Sequence, residues 1–545
     1  MSASFVRSLG SESGVQTNPL QDDSELPAGT NSDQIIATML RATRGRIDKA
    51  FKVNSGNVKK LLGKGESLRA SELNEAWVQV VESLNNGAYE AVVSRLSTSA
   101  AVLSWIVVTP AAAEGTGFTF SVSPDEPAPG FFLAFRHLDC FNDGIKVRFR
   151  AEENRVAGAQ AANSVITLQI LDANDEKLSE YTGSLVRGAK DDSGNSIYLP
   201  EVIEKRTDSL ELVTGAIESV AVTSDAYGYN ESFQEKWAES ATLIYFVEGG
   251  TAYTTDDYVR AREQLQGTQF DYGYIASCGS KAPALIAQLV QLAYETNIQL
   301  KVDIPGSLNA EESINFIEQL NLGASTTAHL IHAFWHPAKA SDPTGINGKI
   351  YLGTSALNAA YCCARNAIKN SKGFSKKNYP IAGREWKVNR SGIVQTYTPT
   401  KQELSALARA KINPVTYEVY SGGGRYVWRD SLTCAMVDSS LKKLIAVADM
   451  SCSIDDAISR FGKDILQLPM KIALKRMNDY LTQLFKDAQA SDWLVPSSDP
   501  EMGGGAWKFV VQPDSTRPYE KMVVQYKLRY DGTTRQIENT QTLSR

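Results

Sequence analysis

YGYIASCGSKAPALIAQLVQLAYETNIQLKVDI, residues 272–304, decides the fold class. Residues 272–278 read as a strand. Ser280 can cap the helix that follows, Pro283 suits its first turn, and Leu285, Leu289 and Leu292 recur at helical spacing as a buried stripe. Asn297 ends the helix, and residues 298–304 form the next strand. A strand, a helix and a strand of these lengths imply parallel pairing through a right-handed crossover. Further units of the same kind follow through Leu330 and Ile331 and a helix over residues 404–410.

Upstream the same grammar holds. Residues 33–40 read as a buried strand, and 57–62 as a turn or two of helix closed by Gly63. Residues 71–85 make an amphipathic helix on Leu73, Trp77, Val80, Val81 and Leu84, stopped at Asn86 and Gly87, and residues 89–96 follow as a strand. Between these α/β stretches, residues 97–266 are strand-rich, with turn signals between short runs. Downstream, residues 417–428 read as a hairpin turning at Gly422, Gly423 and Gly424. A long helix covers residues 464–486 on Ala473, Met477, Leu481 and Leu484, kinked by Pro469. Residues 507–512 and 521–530 make a final β pair; in the second, Met522, Val524, Tyr526, Leu528 and Tyr530 alternate with polar positions.

The expected architecture is a discontinuous inner α/β core built from both chain ends, with an inserted β-rich outer domain and extended N- and C-terminal arms. The segments are an arm over residues 1–30, core over 31–96, insertion over 97–266, core over 267–531 and an arm over 532–545. The arms are polar with few apolar anchors: Phe5, Val6 and Leu9 at the front, Ile537 and Leu543 at the back. Such segments cannot build a core, but they can add a strand to another sheet.

Bulk properties narrow the function. The 545 residues contain 43% hydrophobic and 22% charged residues, enough for a sizeable core. A net charge of −6 gives no general reason to expect nucleic-acid binding. The start is polar, so no secretory leader is expected. The most apolar stretch, residues 100–113, is broken by Pro110 and falls short of the ~20 residues of a membrane span. The six cysteines are scattered and read as reduced thiols.

Candidate chemistry loses to simpler readings. His329, His332 and His336 fall in one segment and on a helix could ligate zinc, but a strand there puts His329 and His332 on opposite faces. Cys362 and Cys363 suit small core positions of a helix over residues 356–369. The glycine runs at 422 and 503 lack a phosphate loop's lysine. Asp172, Asn174 and Glu176 alternate as in a calcium loop, but Lys177 stands where glycine is required, so a hairpin turn is expected. No cofactor, metal or catalytic residue is assigned. Lys471, Lys475 and Arg476 on the late helix form either a solvated face or a docking surface for an acidic partner.

Several stretches resemble the contractile tail sheath proteins of phages. Arg41-Ala42-Thr43-Arg44-Gly45-Arg46-Ile47-Asp48-Lys49, then Val53-Asn54-Ser55 and Leu61-Leu62-Gly63, is similar to that family's opening A-x-R-G-P-x-N, V-T-S and F-G, with Arg46 for the usual proline and Leu62 for the usual aromatic. Asn85 through Leu96 is similar to N-G-G-x-x-A-Y-V-V-R-V. Leu171 and Asp172, Glu180 and Tyr181, and Ser196 through Leu199 look like the family's outer β domain. Asp303-Ile304-Pro305 matches D-x-P, Ile412-Asn413-Pro414 matches the step before its hairpin, and Arg517-Pro518 with the last strand matches its closing segment. Residues 349–387 depart from the pattern.

The resemblance implies a non-enzymatic virion subunit, assembled in the host cytoplasm, that stacks as hexameric rings into a helical polymer around the tail tube. It implies contraction that drives the tube through the host envelope during genome ejection. Expected partners are other copies of the chain, the tube protein, and baseplate and terminator proteins, with no nucleic acid and no membrane insertion. Terminal arms exchange strands between neighbours; Phe5, Val6, Leu9, Met522, Val524, Tyr526, Leu528, Ile537 and Leu543 are the pairing candidates, and Lys471, Lys475 and Arg476 are candidates to face the tube. Rival readings are the sheath of a phage-derived bacteriocin or injection device, a fibre or baseplate component, and a metal-dependent cytosolic enzyme on the histidine segment.

Overall fold

The computed structural model describes residues 32–110, 117–152, 165–215, 228–229 and 234–542. Phe5, Val6, Leu9 and Leu543 lie outside the described residues.

Eight strands form the main sheet, in the order Phe51–Val53, Glu90–Arg95, Ile35–Leu40, Tyr274–Ala276, Gln299–Ile304, Ile331–Trp335, Ile412–Tyr420, Gly423–Trp428. The six inner strands run parallel and the two outermost are antiparallel to their neighbours. Two stretches distant in sequence therefore share one sheet, joined where Ile36 and Ala37 pair with Tyr274 and Ile275. Strands Ile35–Leu40, Gln299–Ile304 and Ile331–Trp335 are buried at every position. That follows from helices covering both faces. Ile36, Val93 and Phe334 face helices Glu75–Asn85 and Ser355–Ala367. Ile35, Ala37 and Val302 face helices Thr255–Gln266 and Pro283–Thr296 on the other side, as the two-residue period of a strand requires.

Local chemistry sets the helix ends. Thr254, Asn309 and Thr400 each close a capping box ahead of Thr255–Gln266, Ala310–Leu320 and Lys401–Arg409. Asn297 ends Pro283–Thr296 in the left-handed conformation, φ 55°. Ala282, not Ser280, holds the N-cap position of that helix, with no side-chain cap; Pro283 alone marks the start.

Between the two stretches lie two four-stranded antiparallel sheets. One orders Lys177–Ser184, Val165–Asp172, Ile145–Ala151 and Ala238–Glu239; the other orders Leu210–Thr214, Leu133–His137, Trp105–Pro110 and Phe118–Ser123. They share a separate core that includes Ile106, Phe135, Phe149 and Leu168. The β-rich reading of residues 97–266 needs two corrections. Helix Leu199–Arg206 belongs to this layer, and helix Thr255–Gln266 packs on the main sheet through Tyr258, Ala261 and Leu265.

After the main sheet the chain forms two helices, Ile445–Asp464 and Met470–Ala490. Pro469 therefore starts a new helix instead of kinking one. It occupies the N-cap position, where its missing amide costs nothing. The pair is locked by Phe461 stacked on Tyr480, ring centroids 3.9 Å apart. The last strands, Trp507–Pro513 and Met522–Leu528, pair antiparallel as a two-stranded sheet against the second helix, through Phe485. No described helix is long and apolar enough to cross a membrane.

Candidate assembly surface

A two-stranded sheet is marginal alone. Here Phe485, fully buried, meets the rings of Trp507, Phe509 and Tyr526 at 5.7–5.8 Å. Tyr526 also donates its hydroxyl to Asp455 of helix Ile445–Asp464. Burial, and then that carboxylate, push the Tyr526 phenol up, so it stays a donor. Met522, Val524, Tyr526 and Leu528, read from sequence as inter-subunit pairing positions, pair one to one within their own chain, with Pro513, Val511, Phe509 and Trp507. Their side chains are half-buried on the helical layer. What remains open is backbone: among the described residues, neither strand has a second partner along its outer edge. Only Tyr530, past the strand's end, bridges to Leu494. An unpaired edge is a template for a further strand.

The chain then leaves the body. Residues 532–542 have no regular structure, and Ile537 is 86% exposed.

Lys471, Lys475 and Arg476 occupy the first two turns of helix Met470–Ala490, all exposed, opposite the buried Ala473 and Met477. None makes an ion pair with any described carboxylate. Cations at a helix N-terminus oppose the helix dipole. Lys471, in the first turn, therefore gains nothing from its own helix's dipole. Leu466 and Ile472, 67% and 46% exposed, lie in the same corner of the chain.

The histidines do not converge. His332 is fully buried in strand Ile331–Trp335, and its Nε2 lies 3.2 Å from the His329 carbonyl. His336 Nδ1 lies 3.1 Å from the Leu352 carbonyl and 3.3 Å from Arg390. Burial, then the nearby cation, lowers both imidazoles, His336 to about 3. Among the described residues no three His, Cys, Asp or Glu side chains are placed to hold a metal ion. Cys362 and Cys363 are buried in helix Ser355–Ala367. Asp172 accepts the amides of Asn174 and Glu176, at 2.8 and 3.0 Å, and so builds the hairpin turn.

Two clusters escaped the sequence reading. The first lies at the carboxyl ends of the parallel strands, where Asp303 of Gln299–Ile304 meets Gly279 just past Tyr274–Ala276, next to the point between Ile35–Leu40 and Tyr274–Ala276 at which crossovers diverge to opposite sides and doubly wound sheets take their ligands. Here the crevice is occupied by the protein's own carboxylates. Asp303 accepts five hydrogen bonds: the amides of Gly279, Thr354 and Ser355, the Ser355 hydroxyl and the Gln79 amide, at 2.6–3.0 Å. Among the described residues, Glu75 accepts from the Gly353 amide and the Gln79 side-chain amide, both on Oε1. Burial and then the Asp303 charge push Glu75 up to about 7. The position of such a crevice is a topological fact, visible only once strand order is known.

The second cluster joins the inserted sheets to the main one. Arg44 reaches Asp143 at 2.6 Å and Asp172 at 3.2 Å, with its guanidinium 4.5 Å from the centre of the Phe141 ring. Arg46 holds Asp48 and the Asp208 carbonyl, each at 2.6 Å. Arg41 holds Glu248 at 3.1 Å, and Arg95 the carbonyls of Gly45 and Cys140 at 2.8 and 2.6 Å. All four arginines are buried. Gly45, φ 121°, lets the loop pass: a Cβ there would stand 2.6 Å from the Phe51 ring. Its run of arginines was the only signal in the sequence.

No family model and no curated protein matches the sequence. Among solved structures, the chain is similar to the sheath tail protein from Desulfitobacterium hafniense, at 12% identity over 91% of this chain and 96% of that one, TM-score 0.47. It is similar to the sheath tail protein from Listeria innocua at 13% identity over 90% and 94%, TM-score 0.47. The sheath of an extracellular contractile injection system, in its contracted state, is similar at 16% identity over 52% and 74%, TM-score 0.38.

Proposed function

We propose that this chain is a structural subunit of a contractile tail sheath. Copies polymerise helically around a tail tube as stacked six-membered rings, and contraction drives the tube through the host envelope. The observation that carries the reading is the terminal hairpin. It lies on its own helical layer with both long edges unpaired among the described residues, next to an extended, exposed tail in the same chain. The motif resemblance, spread in order along nearly the whole sequence, supplies the family.

Energetics favour a polymer over a pair. Ordering an arm costs ~1–2 kcal/mol per residue in backbone entropy. Each strand hydrogen bond returns about 1 kcal/mol net. Buried anchors worth roughly 1.5–3 kcal/mol each, such as Ile537, must tip the balance. Docking is marginal for one copy and firm in a lattice where each subunit gives and receives strands. Such contacts are head-to-tail, and they grow open helical tubes. The cations Lys471, Lys475 and Arg476 face the tube in this scheme, and the inserted sheets face outward. In this reading residues 31–96 and 267–531 form the inner core, 97–266 the outer insertion and 1–30 and 532–545 the arms, with helix Thr255–Gln266 packed back on the core. No step calls for a cofactor or a catalytic group.

Negative-stain microscopy and sedimentation of the purified chain test the reading. The full chain should give tubes. Deletion of residues 532–545 should leave a folded, soluble monomer, and normal tubes from that truncated chain would overturn the arm exchange. Capsid and portal genes beside the coding sequence would separate a virion from a phage-derived injection device.

A further inference from the structure

The tail leaves the body in two stages. The Asp531 amide donates to the Trp493 carbonyl at 3.2 Å, and beyond it no described residue makes a main-chain to main-chain hydrogen bond. Four residues later the chain touches the body once more. Arg535 Nε lies 2.7 Å from Asp430 Oδ1, and its terminal nitrogen 2.5 Å from Oδ2, a parallel two-bond fork. The acceptor is set in advance. Asp430 follows strand Gly423–Trp428 of the main sheet, Trp428 is fully buried, and the Ser431 amide donates to Asp430 Oδ1 at 2.8 Å. Past the fork every described residue is exposed.

The contact is a poor fold device. Its side chains are 25% and 15% exposed, and pairs near the surface contribute little to stability. It is a good positioning device, because a forked arginine–carboxylate pair fixes direction as well as distance. We propose that Asp430 and Arg535 form a clip that sets the length and direction of the C-terminal strand, so that residues from 536 onward are the segment handed to a second copy of this chain. The inference rests on the sheath reading and names the residues that regulate its exchange. Without the clip the tether to Ile537 runs from Asp531; with it, from Arg535. Cutting a flexible tether from six residues to two raises the local concentration of its end by about fivefold, since that concentration falls as roughly the −3/2 power of length.

The test measures the protein concentration at which polymer first sediments, for the full chain, Asp430→Asn, Arg535→Gln, the exchanged pair D430R/R535D, and a deletion of residues 536–545. Each single variant should need about fivefold more protein, with an unchanged melting temperature, and the exchanged pair should recover much of the loss. The deletion should abolish polymer. If the deletion abolishes polymer while Arg535→Gln assembles at the concentration of the full chain, or below it, the clip is wrong and the sheath reading stands. If the deletion itself assembles normally, the strand-exchange reading falls, and the clip with it.

Discussion

The loop at residues 41–46 and the tail after residue 530 are both polar, and they meet opposite fates. In the loop, Arg41, Arg44 and Arg46 are buried and matched by carboxylates that include Asp143, Asp172, Asp208 and Glu248, far along the chain. In the tail, polar groups other than the Arg535 fork face water and Ile537 lies bare, and among the described residues the hairpin before it has no neighbour on either outer edge. A buried charge is tolerated only when paired, so the loop demands one geometry and welds the inserted sheets to the core. The tail demands nothing of its own fold. A rigid internal junction and an open end are what the proposed strand exchange asks of one subunit.

Four perturbations bear on that contrast. Removing residues 532–545 should have the largest effect, an all-or-none loss of polymer by sedimentation with the monomer's melting curve intact. Arg44→Ala attacks the weld and should lower unfolding free energy by about 3–5 kcal/mol in urea titration, since it leaves Asp172, which is 2% exposed, with its turn amides but no cation. An Arg44→Ala chain as stable as the parent would mean that the weld is dispensable.

The third is a pH effect inside the core. Glu75 is held at about 7 in the fold, above its unfolded value near 4.3, because burial and Asp303 disfavour its charge. Its contribution is therefore full below about pH 4.3 and is lost as pH rises through 7. The loss is roughly 3–4 kcal/mol by linkage. Asp449, held down at about 2 chiefly by Lys377 and Arg365 against the cost of burial, acts in the opposite sense, and its contribution disappears only in acid. Comparing Glu75→Gln with the parent from pH 5 to 9 isolates the first effect: the parent should soften with rising pH and the variant should not. Parallel profiles would remove Glu75 as the cause. The smallest effect is expected from the double change Lys471→Glu and Lys475→Glu, which should shift monomer stability by less than about 0.5 kcal/mol. Co-sedimentation with an acidic tube protein should nevertheless be lost.

Legibility in the sequence followed the range of the interactions. The strand–helix–strand unit of residues 272–304 could be read because its period, proline and terminal asparagine are all local. The two hairpins at 412–428 and 507–528 were legible for the same reason. Helix Thr255–Gln266 was absorbed into the β region because only Tyr258, Ala261 and Leu265 form its apolar stripe, behind a charged face. Helix Ile445–Asp464 went unread: it buries Asp449 against Arg365 and Lys377, so its inner face does not look apolar. The arginine weld spans 99 and 128 residues between partners. No periodicity reports a contact of that kind. The open hairpin edges were half-legible, since alternation revealed the strand but not which side would remain bare.

The main sheet's middle seam has a consequence for how the molecule is made. Thr38 donates its hydroxyl to the Ala276 carbonyl, 238 residues away, so the first three strands emerge long before the one that completes their row. At ribosomal speeds of ~5–20 residues per second the nascent chain waits on the order of ten to fifty seconds for that closure. Throughout that interval Ile36 and Ala37 have no partner on one side, a bare edge that another strand could claim before residue 274 arrives.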